Sequence, residues 1–149
     1  MPTHVEKKFH DIFKNTEFYG ENSDKCIDEA EKALKLIFPK EYRVFLRKYG
    51  SSTIHGFEIY GLTGKLHNEN YFWRNIVSST MELRRLSKKW ESLSYLLPFS
   101  DDGMGVTFYF DTRKSPETCI LGIGPGYNKK ITNSFFEFLI ILNEYKFTY

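Results

Sequence analysis

Three stretches near the middle of the chain, Tyr95–Phe99, Gly105–Phe110 and Thr118–Ile123, read as strands joined by turns too short for a crossover. Parallel neighbours need about a dozen residues or more between them, so these strands must reverse and pair antiparallel. In the second of them Val106, Phe108 and Phe110 fall on one face, and Thr107, Tyr109 and Asp111 on the other. A small sheet with one apolar face is stable only if something covers that face.

The cover is supplied by helical segments at both ends of the chain. Thr3-His4-Val5-Glu6 is a capping box, and Val5, Phe9, Ile12 and Phe13 continue at helical spacing, predicting a helix to about Glu17. Ser23 is the next N-cap, with Cys26 or Ile27, Ala30, Leu34 and Ile37 as the buried stripe of a helix that Pro39 stops. Tyr42, Phe45, Leu46 and Tyr49 predict a third helix over 40–49, with Gly50 as its left-handed stop. Phe57 and Ile59 alternate with polar neighbours and predict a strand. Ser79-Thr80-Met81-Glu82 reads as a second capping box opening a short basic helix with Arg84, Arg85, Lys88 and Lys89. Ser134-Phe135-Phe136-Glu137 opens a last helix bearing Phe138, Leu139 and Leu142. Helices, a strand, a helix, three strands and a helix make an α+β fold, read as a single domain over 1–149.

Composition narrows the functional classes. Fourteen Phe, ten Tyr and two Trp stand against two alanines, so the aromatic rings must fill a core or make an adhesive surface. Phe9, Phe13, Phe45, Phe57, Phe108, Phe135 and Phe138 fall on core stripes, whereas Tyr71, Phe72, Trp73 and Tyr127 fall outside any clear one. A net charge of +2, evenly spread along the chain, is too weak a field to indicate nucleic acid by itself. The longest apolar run, Phe138–Leu142, is far short of the roughly 20 residues of a membrane span. Without an apolar signal core after Met1, the expected location is cytoplasmic.

No chemistry-bearing motif survives inspection. Gly122–Lys130 lacks the GK[ST] of a phosphate loop and reads as a turn leaving a strand. Asp101-Asp102-Gly103-Met104-Gly105 lacks the alternating acidic ligands of a calcium loop and reads as a hairpin turn. His4, His10, His55 and His67 are scattered, and Cys26 and Cys119 lack CxxC spacing, so no metal, no disulfide and no cofactor is expected. The expectation is a protein that is not an enzyme.

Four local patterns in order carry a resemblance. Phe38-Pro39-Lys40-Glu41-Tyr42 through Leu46 and Gly50 resembles the LP-x-x-Y-x-x-F/L-L-x-x-x-x-G signature of the SUKH superfamily. Gly56–Leu62 is similar to its G-x-x-I-Y-G-L strand, Leu97–Gly105 with Asp111 to its G-D hairpin, and Ser134–Leu139 to its S-F-x-x-F-L helix. The likeness runs from about Asp24 to the end, and Val106 departs from it where an acidic residue is frequent. Bacterial members of that superfamily commonly act as immunity proteins, so the resemblance implies a non-catalytic α+β domain that binds and neutralises a cognate protein toxin, often a nuclease. The yeast cell-wall-synthesis regulator belongs to the same superfamily, so the alternative is a regulatory scaffold, or a nucleic-acid-binding one on the strength of the basic residues. For that alternative the contact residues would be Arg84, Arg85, Lys88, Lys89, Lys129 and Lys130. For toxin binding they are Tyr71, Phe72, Trp73 and Arg74 as aromatic and cationic anchors, Asp101 and Asp102 as phosphate mimics, and Tyr127 on a turn. Core filling for the aromatics and turn chemistry for the two aspartates are competing roles at these positions.

Overall fold

A computed structural model describes residues 2–63, 74–87 and 93–149. Helix α1 (His4–Ile12) opens where expected, the Thr3 hydroxyl accepting from the Glu6 amide at 3.1 Å. It ends at Ile12 rather than near Glu17, because the following chain extends to pair elsewhere. Phe18 bridges to Ser52, and the Tyr19 and Gly20 amides donate to the Ser51 and Tyr49 carbonyls. Helix α2 (Asp24–Leu34) is capped by Ser23 and stopped by Lys35, whose φ of 56° is left-handed. The expected stripe fails at its last member: Ile37 lies beyond that stop and is 66% exposed. Helix α3 (Lys40–Lys48) starts after Pro39, and Gly50 ends the segment at φ 79°.

Strands β1 (Ser52–Ile54) and β2 (Phe57–Ile59) form a hairpin whose turn residues, His55 and Gly56, both have positive φ. Only the second of these strands is legible as an alternation. Helix α4 (Ile76–Leu86) begins one turn earlier than the Ser79 capping box predicts. Asn75 is the actual cap, its side-chain oxygen accepting from the Val77 and Ser78 amides at 2.8 and 3.1 Å. That placement buries Ile76 and Val77 and leaves Ser79 inside the helix.

The larger sheet runs β3 (Leu96–Asp101), β4 (Thr107–Asp111), β5 (Ile120–Gly124) and β6 (Tyr127–Thr132) in that order, all antiparallel. The predicted three-strand sheet thus has a fourth member, entered through Pro125 and Gly126. Asn128, Lys129 and Lys130 hide it from hydrophobic alternation, yet lysines suit an open edge because they discourage pairing with other chains.

Helix α5 (Phe135–Asn143) is capped by Ser134 and also by α3. One Glu41 oxygen accepts from the Phe135 and Phe136 amides at 2.7 and 3.1 Å, setting a carboxylate on the positive end of the helix dipole. One hydrophobic cluster joins α1, α2, α3 and α5 to the inner face of the sheet. Phe9, Phe13, Phe45, Phe108, Phe135 and Phe138 are buried there, and Phe57 is partly buried against them. Ten of the thirteen phenylalanines among the described residues are therefore buried in the core.

Candidate functional site

The β3–β4 turn is built by its own aspartates. Asp101 accepts from the Gly103 amide at 2.8 Å, and Asp102 from the Met104 and Val106 amides at 2.8 and 3.0 Å. Each carboxylate keeps one oxygen for a more distant partner, and the two partners differ. Asp101 accepts from the Tyr60 hydroxyl, and Asp102 from the Tyr149 hydroxyl.

Tyr60, just past β2, is buried, and its carbonyl accepts from the Tyr42 hydroxyl of α3 at 2.6 Å. The Arg74 guanidinium lies over the Tyr60 ring, 5.4 Å from its centre, and reaches the phenol oxygen at 3.4 Å. The Arg74 amide donates to Glu58. Burial, and then the Asp101 carboxylate, push the Tyr60 phenol well above its usual range, so it remains a neutral donor.

These groups form one wall of a cleft of about 1020 Å³ between α4 and the outer face of β3 and β4. Glu82, Leu83 and Leu86 of α4 form the opposite wall, and Pro98, Val106, Thr107 and Tyr109 the floor. The structure thus brings two of the expected contact residues, Arg74 and Asp101, into one site. Tyr71, Phe72 and Trp73 lie outside the described residues. Glu58, Tyr60 and Tyr109 carried no signal in the sequence beyond the place of Tyr60 in the Ile59-Tyr60-Gly61-Leu62 pattern.

Asp102 and Tyr127 meet elsewhere, under the end of the chain. The Tyr149 ring packs edge-on against Tyr127, with ring centres 5.6 Å apart. Tyr145 stacks on His55 and shares a 2.8 Å hydrogen bond with it. Burial raises the Asp102 pKa, but the Tyr149 hydroxyl and the Met104 and Val106 amides outweigh it and hold the carboxyl below its ordinary 3.8. A lowered folded-state pKa contributes stability that is present above the unfolded value and lost as pH falls through the folded one. Asp102→Asn should therefore be less stable than wild type at pH 7, with the gap closing below about pH 3.8 in urea-unfolding midpoints. A gap that stays constant to pH 2 would contradict this assignment.

Among the described residues the basic candidates do not form one stripe. Arg84 is half-buried and donates to the Ser94 carbonyl at 3.3 Å, and Arg85 lies 3.6 Å from Glu82. Lys129 and Lys130 are on β6, the sheet edge opposite β3, against which α4 packs. Lys88 and Lys89 lie outside the described residues. Among the described residues no group of three or more His, Cys, Asp or Glu is placed to hold a metal, and no helix is long and apolar enough to cross a membrane. Cys26 and Cys119 are free thiols, and burial pushes the Cys26 thiol up, against any activation by its helix.

A family model, SUKH_6, described as SMI1-KNR4 cell-wall, matches residues 12–139. The chain belongs to the SUKH family. None of the curated proteins matches it. The SUKH patterns are separate in sequence but meet in space: Glu41 of the first caps the helix of the last, and Tyr60 of the second bonds Asp101 of the third.

Proposed function

We propose that this SUKH protein is an immunity protein that binds and neutralises a protein toxin, a nuclease, by non-catalytic inhibition. Family membership over residues 12–139 carries the reading, because bacterial SUKH proteins commonly act in this way. The cleft supports it as a partly apolar concavity in which a few charged groups are held by the fold. Arg74 and Asp101 are the proposed contact residues in that cleft, with Tyr71, Phe72 and Trp73 as sequence-derived anchors and Asp102 and Tyr127 as a separate, neighbouring patch.

The test is co-expression with a nuclease toxin encoded beside this gene, and a neighbourhood that encodes none counts against the reading. Cells carrying both proteins should survive and yield a co-purifying complex, whereas toxin alone kills. Death despite expression of this protein, with no complex recovered, rejects the reading. Binding to DNA or RNA with a steep loss of affinity on adding salt would instead favour the scaffold alternative.

A further inference from the structure

We infer that the cleft between α4 and the β3–β4 face is the docking surface for the toxin, and that it receives a Lys or Arg side chain projecting from the toxin's nucleic-acid-binding face. This rests on the immunity reading and adds the place and chemistry of contact. The chain carries a net charge of +2, yet among the described residues the cleft sets three carboxylates, Glu58, Glu82 and Asp101, against the Arg74 guanidinium. The charge of this described lining, with Arg85 outside it beside Glu82, is thus opposite in sign to that of the molecule.

Each carboxylate has capacity left. Both Asp101 oxygens accept one hydrogen bond, from Gly103 and from Tyr60, and a carboxylate oxygen can accept two. A cation can therefore bind without displacing the Tyr60 contact. Glu58 accepts from the Arg74 amide through one oxygen, and the other makes no hydrogen bond among the described residues. Among the described residues Glu82 pairs with Arg85, at 3.6 Å with both side chains more than 60% exposed, a pair too weak and too solvated to compete with a docked cation.

The rest of the cleft suits the stem of a long basic side chain. Leu83, Leu86, Pro98 and Val106 offer apolar surface beside the carboxylates, and Leu86 is 64% exposed. Arg74 is held over Tyr60, which α3 fixes through Tyr42, so the charges are positioned before the partner arrives. A nuclease must present cations to phosphate. A protein that takes one of those cations into a fixed acidic cleft covers the surface the nucleic acid needs.

The probe is a toxin that this protein neutralises in co-expression, with its catalytic residue replaced, titrated against this protein at low and high salt. Glu82→Lys and Glu58→Gln, read separately, should each weaken the complex, Glu82→Lys by about tenfold or more and chiefly through slower association at low salt. Leu86→Ala, which changes no charge, should weaken it through faster dissociation. Glu29→Lys on α2, outside the cleft, should bind as wild type does. Undiminished affinity in the Glu82, Glu58 and Leu86 variants, with a wild-type complex that forms, overturns the cleft as docking surface while leaving the immunity reading intact. A wild-type protein that forms no complex overturns both.

Discussion

Phe135→Ala is expected to cost about 3–5 kcal/mol of stability, near the upper end for a single core truncation. Phe135 is the first residue of α5 and is fully buried. Its ring centre lies 5.4 Å from Phe110, 5.5 Å from Tyr42 and 5.6 Å from both Phe45 and Phe99, with Phe9 at 6.4 Å. Several of these contacts are edge-to-face, each worth about 0.5–1.5 kcal/mol beyond area burial. The neighbours are rigid rings on different elements, so the wall of the cavity has little freedom to collapse inward. Phe18, 38% exposed and touching only the edge of the cluster near Phe13 and Tyr49, is the contrast. Phe18→Ala should cost no more than about 1–2 kcal/mol, since less area is lost and no closed cavity forms. Urea unfolding of both variants decides the point. A Phe135→Ala loss no larger than that of Phe18→Ala would mean the core relaxes where rigidity is claimed.

Gly61→Ala should cost at least about 3 kcal/mol and widen the cleft as well. A Cβ at Gly61 would stand 1.7 Å from the Gly50 carbonyl oxygen and 2.8 Å from its carbon. Those are backbone atoms, so no side-chain rotation relieves the clash. The same backbone ties three elements together: the Gly61 amide donates to Arg74, its carbonyl accepts from Ile76 at the start of α4, and the Leu62 amide donates to Gly50 behind α3. Pushing Gly61 away from Gly50 moves Arg74 and α4 relative to Tyr60, and these are the walls of the cleft. Gly126→Asn is the control, at φ 70° with nothing within 4 Å of the added carbon, and asparagine tolerates that conformation. It should lose less than about 1 kcal/mol. Thermal unfolding and toxin protection should fall together in Gly61→Ala and hold in Gly126→Asn. A Gly61→Ala protein with near-native stability would refute the close approach.

The helices and the middle strands were legible because their signals are local. Thr3, Ser23 and Ser134 cap the helices they precede, and Tyr42, Phe45, Leu46 and Tyr49 lie on the stripe that is buried. The failures have physical causes too. Asn75 and Ser79 are both competent caps, and the burial of Ile76 and Val77 chose between them. Strand β6 is polar because an edge strand can be, so period-two alternation does not reveal it.

By itself the sequence determined the α+β class, the caps, the turn chemistry of Asp101 and Asp102, and four patterns sufficient to suspect the SUKH family. Only the tertiary structure decided which of these residues act together. Tyr60 and Asp101 are 41 positions apart, Phe135 and Glu41 are 94 apart, and neither pairing follows from spacing. The same arrangement separated Asp102 from Asp101, sending one to Tyr149 and the other into the cleft. Propensity and capping act over a few neighbours along the chain, whereas a cleft is made where distant segments pack, and that packing is set by the whole core at once.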